Sequence, residues 1–277
     1  MSGDKVKVAI NGYGVIGKRV ADAVALQANM ELVGVADVAS DYRIRVAIER
    51  GYAVFASDLT ARLEMQASGI QVAGSLDDLL GMVDVVADCA PKKLAAGNKD
   101  RYSAAKVKGI WQGGETSHQG PDAQTVIPDL DITTLAGAGP YTLSHIHFAM
   151  VETTRPVGLD ELRDALWDEP RVAFVRAADG LVALNSVIEL MRDLGRPRGD
   201  MWEVAVWEDA LASDGREVYL TYQVHNESIV VPETVDCIRA LTGIEPDGAA
   251  SMAKTDRSLG VTKSFFPATT KPIADSR

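Results

Sequence analysis

The stretch Lys-Val-Lys-Val-Ala-Ile-Asn-Gly-Tyr-Gly-Val-Ile-Gly-Lys at residues 5–18 decides the fold of this chain. Apolar residues alternate from Val6 to Ile10, which predicts a short buried strand. Apolar residues then recur at helical spacing from Ile16 to Val24, so a helix is expected directly after the glycines. The stretch therefore predicts a strand, a glycine-rich turn and a helix start, in that order.

The turn contains Gly12, Gly14 and Gly17 in the spacing of a dinucleotide-binding fingerprint. The first glycine permits a tight turn, the second lets the backbone approach a pyrophosphate, and the third lets helix and strand pack closely. The N–H groups at the helix start then favour a bound phosphate. A dinucleotide site is therefore predicted, and the alternative is a glycine-rich turn that binds no ligand.

Asp37 follows the apolar run Glu31–Ala36 and lies 20 residues after Gly17. A carboxylate at this place in a dinucleotide-binding unit hydrogen-bonds the ribose hydroxyls of NAD, and its charge repels the additional phosphate of NADP. We therefore expect NAD as the cofactor, with NADP less favoured. An ordinary loop aspartate is the alternative interpretation of this residue.

Strand and helix patterns alternate through residues 1–115, which predicts an α/β domain with a Rossmann-type parallel sheet. Val83–Ala87 is a continuous apolar run, as expected of a strand that is buried on both faces. Asp88–Lys93 follows this strand and is expected to face the ligand, because loops at the carboxyl ends of such strands line the binding crevice. The next helix is expected at 97–105.

The pattern changes after residue 115. Thr142–Thr153 alternates like a strand, and a further short strand is expected at Thr125–Ile127. Glu203–Trp207 and Glu217–Val224 are expected to pair antiparallel around a turn at 213–216. Helices are expected at 159–167, 184–194 and 232–242.

Composition narrows the function classes to which this chain can belong. Its 277 residues carry a formal net charge of -11, so neither nucleic acid nor an anionic membrane is an expected partner. The two cysteines, Cys89 and Cys237, form neither a disulfide framework nor a metal-binding cluster. No signal-peptide pattern and no apolar run long enough to cross a bilayer occur. A cytoplasmic protein without a metal site is therefore expected.

Several long motifs give the chain a family resemblance. The archaeal type of phosphorylating glyceraldehyde-3-phosphate dehydrogenase is the family that it resembles, over nearly the whole chain apart from the polar end. The motifs run in the family's order: NGYGVIGKRVADAV (11–24), DCAPKK (88–93), QGGE (112–115), SHQGPD (117–122), HIHFAMVE (145–152), RDLGRPRGDMWEVAVWE (192–208) and VHNESIVVPETVDCIRAL (224–241).

The resemblance implies a domain organisation. Residues 1–115 would form the dinucleotide-binding domain, and 116–231 a truncated remnant of an α+β catalytic domain with a mixed, largely antiparallel sheet. Helices in 232–263 would pack back on the first domain, and 264–277 would be a mobile tail. The family is usually a tetramer that oxidises a small phosphorylated aldehyde with NAD or NADP and inorganic phosphate, in glycolysis or gluconeogenesis.

The chain departs from the family between QGGE and SHQGPD. A long segment separates these motifs in the family and carries a Ser-Cys-Asn-Thr-Thr motif with the nucleophilic cysteine, whereas here Thr116 runs directly into Ser117. Conversion of an aldehyde to an acyl phosphate requires a thiolate that carries the acyl group covalently. Little or no phosphorylating activity is therefore expected. A free energy of unfolding several kcal/mol below that of intact relatives is also expected, against typical totals of about 5–15 kcal/mol.

Two other cysteines are the alternatives to the absent nucleophile. Cys89 follows a predicted strand, where the charges of Lys92 and Lys93 would lower its pKa; the other interpretation is a small, semi-buried residue. Cys237 lies in a predicted helix, and the resemblance implies a structural role for it.

The resemblance also implies a set of cofactor contacts. Val15 and Ile16 match residues that close over the cofactor phosphates, and Gly113 matches a glycine of the cofactor pocket. Asn226 replaces a cofactor-contacting glutamine. Asp37 stands where the family often has lysine, which favours NAD.

Histidines supply the implied substrate contacts and the base. His118 matches the first histidine of the substrate-phosphate motif, and Gln119 replaces the second. His145 and His147 match the pair from which the family draws its catalytic base, and a neutral imidazole near pH 7 suits proton removal. Either of the two can be the base, and a strand histidine that only makes structural contacts is the alternative for each.

Four interpretations of function remain open at this point. The chain is a dehydrogenase by descent with little activity, a non-catalytic NAD-binding protein that assembles with itself or an intact relative, or a different NAD-dependent dehydrogenase that uses direct hydride transfer. In the fourth, the gap is an artefact of the sequence and the parent enzyme is ordinary.

Overall fold

The computed structural model describes residues 5–111, 119–134 and 143–266. The chain divides into two compact units, Met1–Tyr141 and Thr142–Arg277. Among the described residues, no helix has the length and apolarity that are needed to cross a membrane.

The first unit is built on a six-stranded sheet in the order β4-β3-β2-β1-β5-β6, and every pair in it is parallel. The prediction of an α/β unit with a Rossmann-type sheet is thereby confirmed. Its strands are β1 (Val6–Asn11), β2 (Met30–Asp37), β3 (Val54–Ala56), β4 (Gly74–Ser75), β5 (Val85–Asp88) and β6 (Lys108–Trp111). Its helices are α1 (Val15–Ala25), α2 (Tyr42–Glu49), α3 (Leu59–Ala67), α4 (Leu76–Leu80), α5 (Lys92–Ala105) and α6 (Gln119–Val126).

The chain order of this sheet creates the crevice that a cofactor needs. β2, β3 and β4 extend from one side of β1, whereas β5 and β6 extend from its other side. The direction of chain progress therefore reverses between β1 and β5, and ligands of doubly wound sheets bind outside the carboxyl ends of the strands at such a point. Val8, Ile10 and Val85–Ala87 are fully buried, as central parallel strands require.

The second unit holds a mixed sheet that is largely antiparallel, which confirms that prediction. β11 pairs along its whole length with β7, and its other edge pairs with β10 and then β9, all antiparallel; β8 pairs parallel with β9. The strands are β7 (Ser144–Glu152), β8 (Val172–Val175), β9 (Val204–Trp207), β10 (Ala212–Asp214) and β11 (Glu217–His225). The helices are α7 (Leu159–Asp168), α8 (Leu184–Asp193), α9 (Val231–Thr242) and α10 (Gly248–Leu259).

Three local predictions are wrong. Thr125–Ile127 is not a strand, since α6 runs to Val126, whose side chain is 81% exposed and meets no sheet edge; β-branched residues favour strands only where a partner strand covers them. The turn at 213–216 joins β10, not β9, to β11, although the expected antiparallel pairing of Glu203–Trp207 with Glu217–Val224 is confirmed. α5 starts at Lys92, five residues earlier than expected, because Pro91 at its N-cap suits a helix start.

The C-terminal helices are tied to the second sheet. Arg171, directly before β8, makes ion pairs with Glu233 and Asp236 of α9 and with Asp256 of α10, at 3.0, 2.6 and 2.8 Å. The expected packing of 232–263 on the first domain stays a prediction.

Phe265 belongs to the ordered part of the second unit, although it falls in the segment 264–277 that was expected to be a mobile tail. Its side chain is 5% exposed and packs in the cluster that contains Val187 and Met201. Burial of an aromatic side chain favours an ordered chain at this point.

Candidate functional site

The glycine-rich turn lies between β1 and α1, at the point where the sheet reverses its order. Gly12 has a φ of +93°, and a Cβ there would lie 2.6 Å from the backbone nitrogen of Ala90. A Cβ at Gly17 would lie 1.9 Å from the carbonyl oxygen of Gly12. Both positions therefore require glycine, because side chains neither fit there nor readily adopt the backbone of Gly12.

Gly14 differs from the other two glycines. No atom lies within 4 Å of the place that its Cβ would take, although its φ is an ordinary -78°. Gly14 is the N-cap of α1, and the first helical hydrogen bond runs from the N–H of Lys18 to its carbonyl oxygen, at 3.1 Å. The N–H groups of Val15, Ile16 and Gly17 thus have no acceptor within the helix. Open space in front of these N–H groups suits an approaching phosphate.

Asp37 connects the end of β2 to this turn. Its Oδ2 accepts a hydrogen bond from the backbone N–H of Tyr13 at 2.5 Å, and its Oδ1 accepts one from Ala39 at 2.8 Å. Each carboxylate oxygen has a further lone pair. The carboxylate is therefore fixed in position beside the glycine turn and retains the capacity to accept the two hydroxyls of a ribose.

A polar network under the crevice was missed by the sequence interpretation. Asp88, fully buried at the end of β5, accepts hydrogen bonds from Tyr102 Oη (2.6 Å), Asn98 Nδ2 (3.0 Å) and the N–H of Ala90 (2.9 Å). Asn11 donates to Tyr102 Oη at 2.8 Å. Burial and then the bond to Asp88 raise the pKa of Tyr102. The position of Asp88 at the end of a strand could have predicted a role for this residue. Nothing in the sequence distinguishes Tyr102 from any other aromatic residue of a helix.

Cys89 does not have the environment of a nucleophile. Burial, and then the charge of Asp88, raise the pKa of the Cys89 thiol to about 12, so the lowering expected from Lys92 and Lys93 is wrong. Burial also raises the pKa of Cys237. Both cysteines are free thiols.

His145 and His147 lie on the same face of β7, opposite Val224 and Tyr222 of β11. Their ring centroids are 4.6 Å apart, and the His147 ring stacks on Tyr222 at 4.7 Å with planes 2° apart. Burial and then the charge of His145 lower the pKa of His147. His147 is therefore neutral at pH 7.

The two histidines differ in their hydrogen bonds. Nδ1 of His145 contacts Oδ1 of Asn226. Because an amide oxygen only accepts, Nδ1 of His145 donates in this pair, and in the neutral ring this tautomer has its lone pair on Nε2, the atom that a base would use. Asn226 thus orients a candidate base in the structure, whereas its implied cofactor contact stays a prediction.

The other residues singled out from the sequence are only partly described. Gly113 and His118, together with the junction at Thr116 and Ser117, lie outside the described residues. Gln119 is the first residue of α6, and its side chain is not described. Among the described residues, no group of three or more His, Cys, Asp or Glu side chains is arranged to hold a metal ion.

A solved structure shares the fold of this chain. The crystal structure of aspartate semialdehyde dehydrogenase II from Vibrio cholerae matches with a TM-score of 0.52 at 13% identity. The match covers 93% of this chain and 99% of that one. The likeness shows the fold alone, a unit with a parallel sheet followed by a unit with a mixed sheet.

Sequence comparisons show the family, although no family model matches the chain. Proteins named glyceraldehyde-3-phosphate dehydrogenase are 33% identical in Methanococcoides burtonii, 34% in Methanobacterium bryantii and 36% in Pyrobaculum calidifontis. The matches cover 93%, 92% and 92% of this chain, and 99%, 99% and 97% of the relatives. The alignment with the Methanococcoides burtonii protein spans 337 positions, of which this chain fills about 258, or 93% of its 277 residues. At the other positions, about 80, the relative has a residue and this chain has none. The chain belongs to the glyceraldehyde-3-phosphate dehydrogenase family, in the form found in archaea.

Proposed function

We propose that this chain is an NAD-binding member of its family that has lost most or all of the phosphorylating dehydrogenase activity. The glycine turn and Asp37 carry the first half of this proposal. Gly12 and Gly17 make contacts that exclude any side chain, and Gly14 leaves open space before the N–H groups of α1. The pyrophosphate would lie on those N–H groups and the adenosine ribose on Asp37. When bound, NAD supplies the nicotinamide that accepts a hydride.

The charges around Asp37 support NAD over NADP. The carboxylate is held by two backbone N–H groups beside the glycine turn. Arg43, whose charge interacts with Asp37, is itself engaged by Asp41 at 2.6 Å. An additional phosphate on the ribose would therefore meet a carboxylate whose neighbouring cation, Arg43, is already engaged.

The thiols carry the second half of the proposal. By family, the substrate would be a small phosphorylated aldehyde, and its oxidation to an acyl phosphate needs a thiolate. With a pKa of about 12, only about one Cys89 side chain in 10⁵ is ionised at pH 7. The chain therefore lacks an activated nucleophile among its two cysteines. The aligned positions that only the relatives fill support the loss of the segment that would carry one.

The test measures binding and turnover separately. Calorimetric titration is expected to show NAD binding that Asp37→Asn weakens at least tenfold, while the preference for NAD over NADP shrinks. Phosphate-dependent NADH formation from glyceraldehyde 3-phosphate is expected to be absent, with the Methanococcoides burtonii relative as the active control. Turnover comparable to that relative would overturn the loss of activity, and failure to bind NAD would overturn the cofactor assignment.

Direct hydride transfer from a hydroxy or carbonyl substrate is the second candidate, and the His145–Asn226 pair favours it. Nε2 of His145 has the free lone pair that a general base uses, and its orientation is fixed by Asn226. This candidate predicts NADH formation that survives alkylation of both cysteines and is lost in His145→Gln. A screen of small hydroxy and carbonyl compounds decides it, since cysteine-dependent turnover would exclude this chemistry.

We also propose a cytoplasmic protein that assembles into a homo-oligomer, the tetramer by family resemblance. Two free thiols without a disulfide fit a reducing compartment. Sedimentation of the purified chain measures the state of assembly.

A further inference from the structure

β7 is an edge strand of the second sheet. All nine of its residues pair with β11, from Ser144 opposite His225 to Glu152 opposite Glu217. In the described part of the chain, no strand pairs with the other edge of β7. An edge of this length presents a row of backbone N–H and C=O groups that another strand can bind.

One face of this strand is apolar and exposed. Ile146, Phe148 and Met150 point to the same side, because alternate residues of a strand share a face. Ile146 packs against the core that includes Val187 of α8, whereas Phe148 and Met150 are each 77% exposed. We call Phe148 and Met150 the β7 patch. Two large apolar side chains so exposed beside an open edge mark an interaction surface.

The β7 patch lacks the features by which proteins protect an edge. β7 contains no proline and no lysine or arginine, and its pairing with β11 has no bulge. Its only charged residue, Glu152, lies at the far end and is paired with Arg216 at 3.0 Å. The net charge of -11 keeps copies of the chain apart elsewhere. On β7, Glu152 lies two residues after Met150 on the same face, and its charge is offset by the pair with Arg216.

The sequence of β7 is complementary to itself. If two copies pair antiparallel about a two-fold axis at Phe148, Ile146 lies opposite Met150 of the other copy, and Phe148 lies opposite its own equivalent. The apolar side chains then form one continuous cross-strand row, of the kind that stabilises antiparallel pairs. Ser144 lies opposite Glu152 in this register, so like charges do not meet.

We propose that a second copy of this chain docks on β7, so that two sheets join as β11-β7-β7′-β11′ about a two-fold axis at Phe148. The contact is isologous, because the same surface is used by both copies. It satisfies the open backbone edges and buries both patches against each other. The contact depends on neither cofactor binding nor the identity of the substrate.

Charge substitution at the axis tests this arrangement. Sedimentation equilibrium is expected to show that Phe148→Lys and Phe148→Glu each halve the mass of the assembly, with a dissociation constant raised at least tenfold, because like charges then face each other. A mixture of the two variants is expected to restore the original mass, since Lys now faces Glu. NAD affinity is expected to stay unchanged in both, so loss of the contact is distinguishable from loss of the cofactor site.

Val182→Lys is the matched control, because Val182 is 71% exposed in the same unit but lies outside β7. The assembly formed by this variant is expected to have the same mass as the assembly formed by the unchanged chain. Circular dichroism melts establish that each variant is folded. A monomeric unchanged chain, an assembly that both Phe148 variants leave intact, or a mixture that stays at half mass would each overturn the proposal.

Discussion

At the scale of single residues, the three glycines of the turn have separable functions. Gly12 is confined by its φ of +93° and by the backbone of Ala90, whereas Gly14 has an ordinary φ and open space. A side chain at Gly12 would therefore disturb folding, whereas a side chain at Gly14 would affect only a ligand that approaches the turn. The distinction came from packing, since the sequence pattern treats the two glycines alike.

We predict that alanine lowers stability at Gly12 and weakens NAD binding at Gly14. Gly12→Ala is expected to lower the free energy of unfolding by about 1–3 kcal/mol, because a Cβ would meet the Ala90 backbone and the φ is unfavourable. Gly14→Ala is expected to leave stability within about 0.5 kcal/mol and to weaken NAD binding at least tenfold. Urea unfolding and calorimetry measure the two effects. Unchanged NAD affinity in Gly14→Ala would contradict a pyrophosphate at this position.

A second prediction at this scale concerns the Cys89 thiol. Its pKa of about 12 lies above the ordinary value of 9.0, so the folded chain holds this proton between about pH 9 and 12 while the unfolded chain releases it. Stability is therefore expected to be unaffected by Cys89 below pH 9 and to fall as pH rises through that window.

Alkylation measures the thiol directly. Iodoacetamide is expected to modify Cys89 slowly at pH 7, with a rate that rises about tenfold per pH unit up to pH 10, because the thiolate is the reactive form. Mass spectrometry of the peptide follows the rate. A rate that is already at its plateau at pH 7 would show an activated thiol and would revive Cys89 as a nucleophile.

At the scale of elements, the helices and parallel strands within residues 5–111 mostly followed the local pattern, whereas short elements that depend on a partner strand did not. Ser75 and Asp78 form the capping box at α4 that their spacing predicts, because each bond joins residues three apart. By contrast, Thr125–Ile127 had strand-like residues but no strand to pair with, and became the end of α6. β10 was missed for the converse reason, since its three residues form a strand only against β11.

Arg171 is the side chain by which α9 and α10 are held to β8, and we predict a large effect of its loss. Arg171→Met is expected to lower the free energy of unfolding by about 2–4 kcal/mol, because Asp256, which is mostly buried, is left without its cation and Asp236 keeps only Arg239, at 3.3 Å. Arg192→Met, which removes an exposed pair with Glu189, is the control and is expected to cost less than about 1 kcal/mol. If chemical denaturation gave Arg171→Met and the unchanged chain the same free energy of unfolding, the Arg171 ion pairs would make no net contribution to stability.

At the scale of the whole molecule, the described residues form a six-stranded parallel sheet and a mixed sheet in which β7 is an edge strand. Its alignments with relatives extend over about 80 positions that this chain does not fill. A shorter chain buries a smaller fraction of its surface on folding.

We predict that the free energy of unfolding is lower than that of the Methanococcoides burtonii relative by several kcal/mol, on the order of a third of a typical total of about 5–15 kcal/mol. Chemical denaturation of both proteins at equal concentration and with NAD absent measures the difference. If both proteins unfolded with equal cooperativity at the same denaturant concentration, the stability of the two units would not depend on the additional positions of the relative.

The sequence by itself determined the parallel sheet, the glycine turn, Asp37 at the end of β2 and the family, because these depend on periodicity and on residues close together along the chain. Tertiary structure alone decided which groups meet over long separations. It placed Asn226 on His145, assembled Tyr102 and Asn11 around Asp88 and half-buried Cys89. Among the described residues, it also left one edge of β7 without a partner strand. The physical reason is that hydrogen-bond partners, desolvation and strand edges are properties of neighbours in space, which a local pattern does not contain.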